Sequence, residues 1–143
     1  MKRGMKAGAV VALAGAAALA AFSARASDGG TVAPALAQGK AVYDYWCATC
    51  HADSPGLAGT LALQTKYQGA IPAALALRSD LQPATVEYFV RNGVAWMAPF
   101  RKTEISDAEL AAIGAYLSAP LEQRGLDAAG LAKAQQAGGE AVR

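Results

Sequence analysis

The stretch YDYWCATCHAD, residues 43–53, contains both cysteines and the only histidine of the chain. Cys47 and Cys50 lie three positions apart, and His51 follows directly. On a helical turn, side chains at this spacing point to nearly the same side, so both thiols can reach the vinyl groups along one edge of a haem. The adjacent imidazole then approaches the iron from the proximal face, and this spacing is the attachment motif of c-type haems. The stretch therefore predicts one covalently bound haem c, attached through both cysteines, with His51 as the proximal iron ligand.

Three other uses of the same residues have to be weighed. A thioredoxin-like redox pair also has two residues between its cysteines, but it belongs near a strand–helix–strand pattern, which this sequence lacks. Structural zinc usually takes four cysteine or histidine ligands, and only three are present, all within one turn. A short disulfide in an exported protein is the plainest alternative, and it would leave His51 without a role. The haem interpretation accounts for all three residues.

The N-terminal residues 1–26 have the pattern of a signal peptide. Three basic residues among the first six precede an apolar run from Ala7 to Phe22, and Ala24-Arg25-Ala26 fits a small-x-small cleavage site. The apolar run is 16 residues long, shorter than the roughly 20 that a membrane-spanning helix needs, which argues against an uncleaved anchor. We expect cleavage after Ala26, export to the periplasm and no membrane span after processing.

Removal of the signal peptide changes the charge balance. Four of the 13 basic residues lie within it, so nine remain against 11 acidic residues. No basic patch is left that would indicate nucleic-acid binding. In the processed chain we expect a flexible lead-in at residues 27–36, one domain at residues 37–121, and a flexible Ala/Gly-rich tail at residues 122–143.

The apolar pattern of the domain is helical, with no sustained alternation of the kind typical of a half-buried strand. Ser106 and Glu109 form a capping-box sequence before the last helix, and Pro120 ends it. Four segments are predicted to be helical. The first runs from about Ala35 into Cys50, and the second covers TLALQTKYQ with a weaker stretch, PAALALRS, after it. The third is PATVEYFVRNG and the fourth is SDAELAAIGAYLSAP. We therefore expect an all-α fold.

Met97 is the candidate for the second axial ligand of the iron. It lies in GVAWMAPFRKTEI, residues 93–105, a connection with no regular pattern, and long connections of this kind are often functional. Once the signal peptide is removed, Met97 is the only methionine of the chain. His/Met ligation is the pattern of haem electron carriers and raises the reduction potential of the iron. The sequence predicts Met97 as the distal iron ligand.

At these residues the chain resembles the class I mono-haem cytochromes c, over roughly Gln38 to Ser118. The resemblance implies a small cytochrome c-like fold of three to five helices around one covalently bound haem. It also implies that Gly39 and Tyr43 let the first helix cross closely against the last, at the small residue Gly114 with Tyr116 and Leu117.

Two departures from the family pattern stand beside the resemblance. The family methionine is commonly followed by proline, whereas here Ala98 separates Met97 from Pro99. The family places a Gly-Pro pair after the histidine, and here the order is Pro55-Gly56, so the Pro55 carbonyl is the expected acceptor of the His51 Nδ1–H. The segment RNGVAWMAPF is also similar to that of cytochrome subunits serving flavoprotein dehydrogenases of the p-cresol methylhydroxylase type.

These observations favour a periplasmic one-electron carrier rather than an enzyme. Its partners would be periplasmic redox proteins, such as a flavoprotein dehydrogenase and a terminal oxidase or another cytochrome. Three alternatives stay open at this point: a cytochrome subunit permanently bound to a flavoprotein dehydrogenase, a haem enzyme or sensor with an open distal position, and a haem-free thiol protein.

Overall fold

The computed structural model describes residues 30–126 as a set of helices, and these residues form no β-strand. The predicted signal peptide and most of the predicted tail lie outside the described residues. The α-helices are α1 (Ala37–Trp46), α2 (Ala48–His51), α3 (Ala58–Tyr67), α4 (Pro83–Asn92) and α5 (Asp107–Ser118). Short 3-10 helices lie at Pro34–Leu36, Leu75–Leu77 and Leu121–Arg124. The all-α class predicted from the sequence is confirmed.

Helix α5 lies at the centre of the fold, because both α1 and α4 pack against it. Its N-terminus has the predicted capping box, in which the Ser106 side chain accepts from the Glu109 backbone and the Glu109 side chain accepts from the Ser106 backbone. Its buried side chains Leu110, Ile113 and Leu117 are 5% exposed or less. Each fully buried side chain of this size contributes about 1.5–3 kcal/mol of hydrophobic stabilisation.

No helix within residues 30–126 is long and apolar enough to cross a membrane.

Gly39 is the point at which α1 approaches α5. A Cβ atom on Gly39 would lie 2.1 Å from the carbonyl oxygen of Ala112 and 2.8 Å from Cβ of Tyr116, so only glycine fits. The expected close crossing of the first and last helices is therefore present. The expected pairing with Gly114 is wrong, because a Cβ on Gly114 would meet Pro83 of α4 at 3.2 Å. The two glycines therefore lie at different helix contacts: Gly39 lies where α1 meets α5, and Gly114 lies where α5 meets α4.

The first predicted helix is interrupted near its end. Helix α1 stops at Trp46, and Cys47 separates it from the single turn of α2. The predicted second helix forms as α3, whereas the weaker segment after it contributes only the 3-10 turn at Leu75–Leu77. α4 forms from Pro83, whose missing N–H is no loss in the first turn of a helix.

The packed region extends beyond the residues that the sequence assigned to the domain. Leu36 belongs to the core, and the Ala33 amide donates to the Gln123 carbonyl over 2.8 Å. Arg124 is 2% exposed, and its guanidinium donates to the carbonyl oxygens of Ala76 (3.0 Å) and Arg78 (2.6 Å). The end of the predicted lead-in and the start of the predicted tail are therefore held against each other and against the segment before α4.

Candidate functional site

The two cysteines lie at the junction of α1 and α2. Cys47 is half-buried and Cys50 is exposed, and both are free thiols. Burial, reinforced by the neighbouring Cys50, raises the pKa of the Cys47 thiol from 9.0 to about 11, so this thiol is protonated at neutral pH. The predicted attachment residues are thus unpaired, and Cys50 is open to solvent. Within residues 30–126 there is no group of three or more His, Cys, Asp and Glu side chains placed to hold a metal ion.

The ring of His51 lies against the first turn of α3. A Cβ atom on Gly59 would be 2.4 Å from Cε1 and 2.6 Å from Nδ1 of His51, so the ring occupies the space that a side chain would take. Nδ1 is buried and has no hydrogen-bond partner among the described residues. The expectation that Pro55 supplies the acceptor is therefore wrong, and Pro55 is itself exposed. Burial lowers the pKa of His51 below its ordinary value, which favours the neutral imidazole.

The backbone around His51 is held from two sides by side-chain hydroxyls. Tyr43 of α1 donates to the His51 carbonyl over 3.1 Å, and Thr60 of α3 donates to the Ala52 carbonyl over 2.7 Å. The Thr60 hydroxyl also lies 3.4 Å from the Cys50 carbonyl oxygen. Burial and the nearby Cys47 thiol raise the pKa of Tyr43 well above its ordinary value, so its hydroxyl remains a donor. The short helix α2 is thereby fixed between α1 and α3.

Met97 closes a tight turn rather than lying in a structureless loop. Val94 and Met97 exchange two backbone hydrogen bonds of 2.9 Å each, with Ala95 and Trp96 between them. Ala95 has φ +50°, a left-handed conformation that is unfavourable for a residue with a side chain. Gly93 is required at the base of the turn, because its φ is +69° and a Cβ there would lie 2.5 Å from the Met97 carbonyl oxygen.

The segment after Met97 is fastened to α4 and α5. The Phe100 amide donates to the Val90 carbonyl over 2.8 Å. Arg91 donates to the Phe100 carbonyl over 3.1 Å and to the Asp107 carboxylate over 2.9 Å. Met97 therefore stands on a turn whose two ends are both anchored, which limits how far its side chain can move.

An aromatic contact joins the two halves of the predicted site. The rings of Trp46 and Phe100 pack edge to face with their centroids 5.7 Å apart. Trp46 directly precedes Cys47, and Phe100 lies three residues after Met97. Both Cys47 and Met97 are partly buried and pack against the hydrophobic core. The structure thus assembles the cysteine segment and the methionine turn into one packed cluster.

The residues present fit a covalently attached haem. The donor set comprises two free thiols at the attachment spacing, a neutral imidazole and one thioether, which are the groups that tether and ligate a c-type haem. Because Nδ1 is buried, Nε2 is the nitrogen of His51 that would ligate an iron. Trp96, beside Met97, is fully exposed, and Val94 is half exposed, so this end of the molecule presents apolar surface.

Two residues beside the site, Gly59 and Thr60, and one buried structural residue, Arg124, were not found from the sequence. Gly59 and Thr60 contact the ring and the backbone of the histidine segment, and Arg124 binds two carbonyls 46 and 48 residues away. Gly59 gave no distinct signal, because it directly precedes the predicted second helix TLALQTKYQ, and glycine is tolerated near a helix N-terminus. Nothing local to Thr60 or Arg124 distinguishes them from surface residues.

The search against protein-family models matched residues 34–117, more than half of the chain, to the family described as cytochrome C oxidase, cbb3-type, subunit III. Searches of the curated proteins and of the solved structures gave no significant match. The matched residues include the Cys-x-x-Cys-His segment and Met97, and they cover four of the five helices and nearly all of α5. The chain therefore belongs to this family of c-type cytochrome domains: it is a class I mono-haem cytochrome c, a haem-based electron-transfer protein.

Proposed function

We propose that the chain is a periplasmic carrier of single electrons, in which Cys47 and Cys50 attach one haem c and His51 and Met97 are the axial iron ligands. The observation that carries this proposal is the Trp46–Phe100 contact, which packs the segment of the two tethers and the proximal ligand against the segment of the distal ligand. A methionine that only filled space in the core would need neither the anchored turn nor the packing of that turn's segment against the cysteine segment.

A bound haem supplies a one-electron couple, and the residues around it set how that couple is used. His51 contributes a neutral imidazole nitrogen, and burial keeps the ring in that form. Met97 contributes a thioether, which favours ferrous iron and so raises the reduction potential. The anchored turn and the hydroxyl-bound backbone at His51 hold both ligand segments in place. A site fixed in this way reorganises little when one electron arrives or leaves.

The cellular location and the partners are further parts of the proposal. The signal-peptide pattern of residues 1–26 supports export, and c-type cytochrome domains are typically exported or membrane-associated. The family description names an oxidase subunit. The sequence of residues 91–100, RNGVAWMAPF, resembles that of cytochrome subunits that serve flavoprotein dehydrogenases. We therefore place the chain between a periplasmic dehydrogenase and a terminal oxidase or another cytochrome. Interfaces between redox partners are commonly small and short-lived. Trp96, next to the proposed distal ligand Met97 in the sequence, is fully exposed and could contribute to such an interface.

The test is an intact mass together with an optical spectrum of the exported protein. We expect a chain beginning at Ser27, heavier by the mass of one haem, with a ferric charge-transfer band of Met–iron ligation in the near infrared. Met97→Ala should lose that band, whereas Val94→Ala, in the same turn and half exposed, should keep it. An unchanged band in Met97→Ala would remove Met97 from the ligand set. A wild-type protein that lacks the band and binds small ligands at the iron would favour the haem enzyme or sensor instead.

A further inference from the structure

Gly59 occupies an unusual place in the first turn of α3. A Cβ there would lie 2.4 Å from Cε1 and 2.6 Å from Nδ1 of His51, and 2.7 Å from the Cys50 carbonyl oxygen. Contacts of Cβ atoms below 3.0 Å are essentially never observed. Any side chain at this position must therefore displace the imidazole, the backbone of α2, or both.

The backbone of α2 cannot retreat freely from α3. The Tyr43 hydroxyl holds the His51 carbonyl, and the Thr60 hydroxyl holds the Ala52 carbonyl, so a shift of α2 would break bonds of 3.1 and 2.7 Å. Thr60 is 7% exposed, and its hydroxyl would have little water to replace those partners. A Cβ on Gly59 would therefore act mainly on the imidazole, which can turn about its own side-chain torsions.

No hydrogen bond fixes the orientation of the His51 ring from its buried side. In haem proteins and metal sites, the second nitrogen of a ligating histidine usually donates to a carbonyl or carboxylate, which sets the plane of the ring. Here Nδ1 is buried without a partner among the described residues. What remains on that side is packing, and the ring lies within 2.6 Å of the place that a Cβ on Gly59 would take.

We propose that Gly59 is a positioning residue for His51. The space left by its missing side chain forms a slot beside the imidazole, and this slot sets the plane of the proximal ligand. The inference rests on the proposed ligation of haem iron by His51. It assigns to packing the role that a hydrogen bond to Nδ1 plays elsewhere. In the haem-loaded protein, this slot would determine the orientation of the imidazole plane relative to the haem. The orientation of that plane would in turn influence the distribution of unpaired spin over the porphyrin in the ferric state.

The test compares Gly59→Ala with Gly56→Ala in the haem-loaded full chain. Gly56 has φ +89° and a Cβ there would meet no atom within 4 Å, so its substitution strains the backbone without touching His51. Proton NMR of the ferric protein resolves the haem methyl resonances, whose order and spread depend on the orientations of the axial ligands, the histidine plane among them. We expect Gly59→Ala to change the order or spread of these resonances and to shift the reduction potential, whereas Gly56→Ala keeps the wild-type pattern despite lower stability.

A second pair of variants keeps the test decisive if Gly59→Ala does not take up haem. Thr60→Val removes the hydroxyl that holds the backbone of α2, while Thr65→Val removes an exposed hydroxyl of the same helix that donates to the Leu61 carbonyl. Only the first should alter the haem methyl pattern. A wild-type pattern in haem-loaded Gly59→Ala, or in Thr60→Val where Gly59→Ala is not loaded, overturns the inference. A wild-type protein without covalent haem or without low-spin iron would instead overturn the proposed function.

Discussion

Replacing Gly39 with alanine should destabilise the domain, because the change places a methyl group between the backbones of α1 and α5. The added Cβ would lie 2.1 Å from the Ala112 carbonyl oxygen, 2.7 Å from the carbonyl carbon of the same residue and 2.8 Å from Cβ of Tyr116. Two of these three atoms belong to the backbone, and the third is the first atom of a buried side chain. No change of rotamer can move them away, so the helices themselves have to separate.

The size of the effect follows from these distances. Relieving the 2.1 Å contact requires a separation of about 1 Å, and a gap of that size forfeits about a quarter to a half of the dispersion energy between the facing atoms. Overpacking of a core costs about 1–3 kcal/mol, and contacts with backbone place Gly39→Ala at the upper end. Alanine returns up to about 1 kcal/mol through its better helix propensity. We expect a net loss of about 2 kcal/mol, or about 8–16 °C in Tm for a domain of this size.

The assay is the free energy of unfolding in guanidinium chloride, followed by far-UV circular dichroism. Ala41→Gly is the matched control, because Ala41 is exposed on the same helix and its substitution measures the propensity term alone. If Gly39→Ala is as stable as wild type, or more stable, then α1 and α5 do not approach each other at Gly39 and the description of this crossing is wrong.

Three other changes have defined outcomes. Arg124→Met should lower the free energy of unfolding by about 2 kcal/mol, measured by denaturant titration, because the carbonyls of Ala76 and Arg78 lose a charged donor; an unchanged midpoint would contradict this. The capping hydrogen bonds lower the pKa of Glu109 below its ordinary value of 4.5, so its contribution to stability is present above that value and is lost as the pH falls through the lowered pKa. Glu109→Gln should therefore show a weaker loss of stability on acidification than wild type, and an identical pH profile would refute the role of the carboxylate. Ala95→Gly should raise Tm by relieving the φ of +50°, with a gain of up to about 1 kcal/mol, and a decrease in Tm would show that the turn is not strained.

Local patterns predicted the parts of the fold that local forces determine. The capping box before α5 was visible because its two residues satisfy each other's backbone within one turn. The start of α4 at Pro83 was visible for the same reason, since proline fits the first turn of a helix whatever surrounds it. The haem attachment motif was equally recognisable from the sequence, because it places three scarce residues, two cysteines and one histidine, at fixed offsets.

The parts that were missed depend on contacts between segments. The turn Val94–Met97 has no Asn-Gly or similar pair at its two central positions, Ala95 and Trp96, and the Asn92-Gly93 pair before it indicates only the end of a helix. Ala95 nevertheless adopts a left-handed conformation, in a turn held at both ends. The acceptor expected for the His51 Nδ1 was placed at Pro55 by analogy with a family pattern. The structure instead puts Gly59 beside the ring, a relation that no offset in the sequence reveals.

The two glycines of the helix crossings show what a small residue does and does not reveal. Each marks a place where a neighbour comes close, and neither identifies the neighbour: Gly39 of α1 faces Ala112 of α5, whereas Gly114 of α5 faces Pro83 of α4. Helix α5 therefore receives α1 on one face and α4 on another. Helix α1 leads into the cysteine segment, and α4 leads into the methionine turn. The spacing between the two halves of the proposed site is therefore set through α5 as well as by the direct contact of Trp46 and Phe100. Gly39→Ala, whose Cβ would lie 2.1 Å from a backbone oxygen of α5, should disturb this spacing more than Gly114→Ala, whose Cβ would meet Pro83 at 3.2 Å.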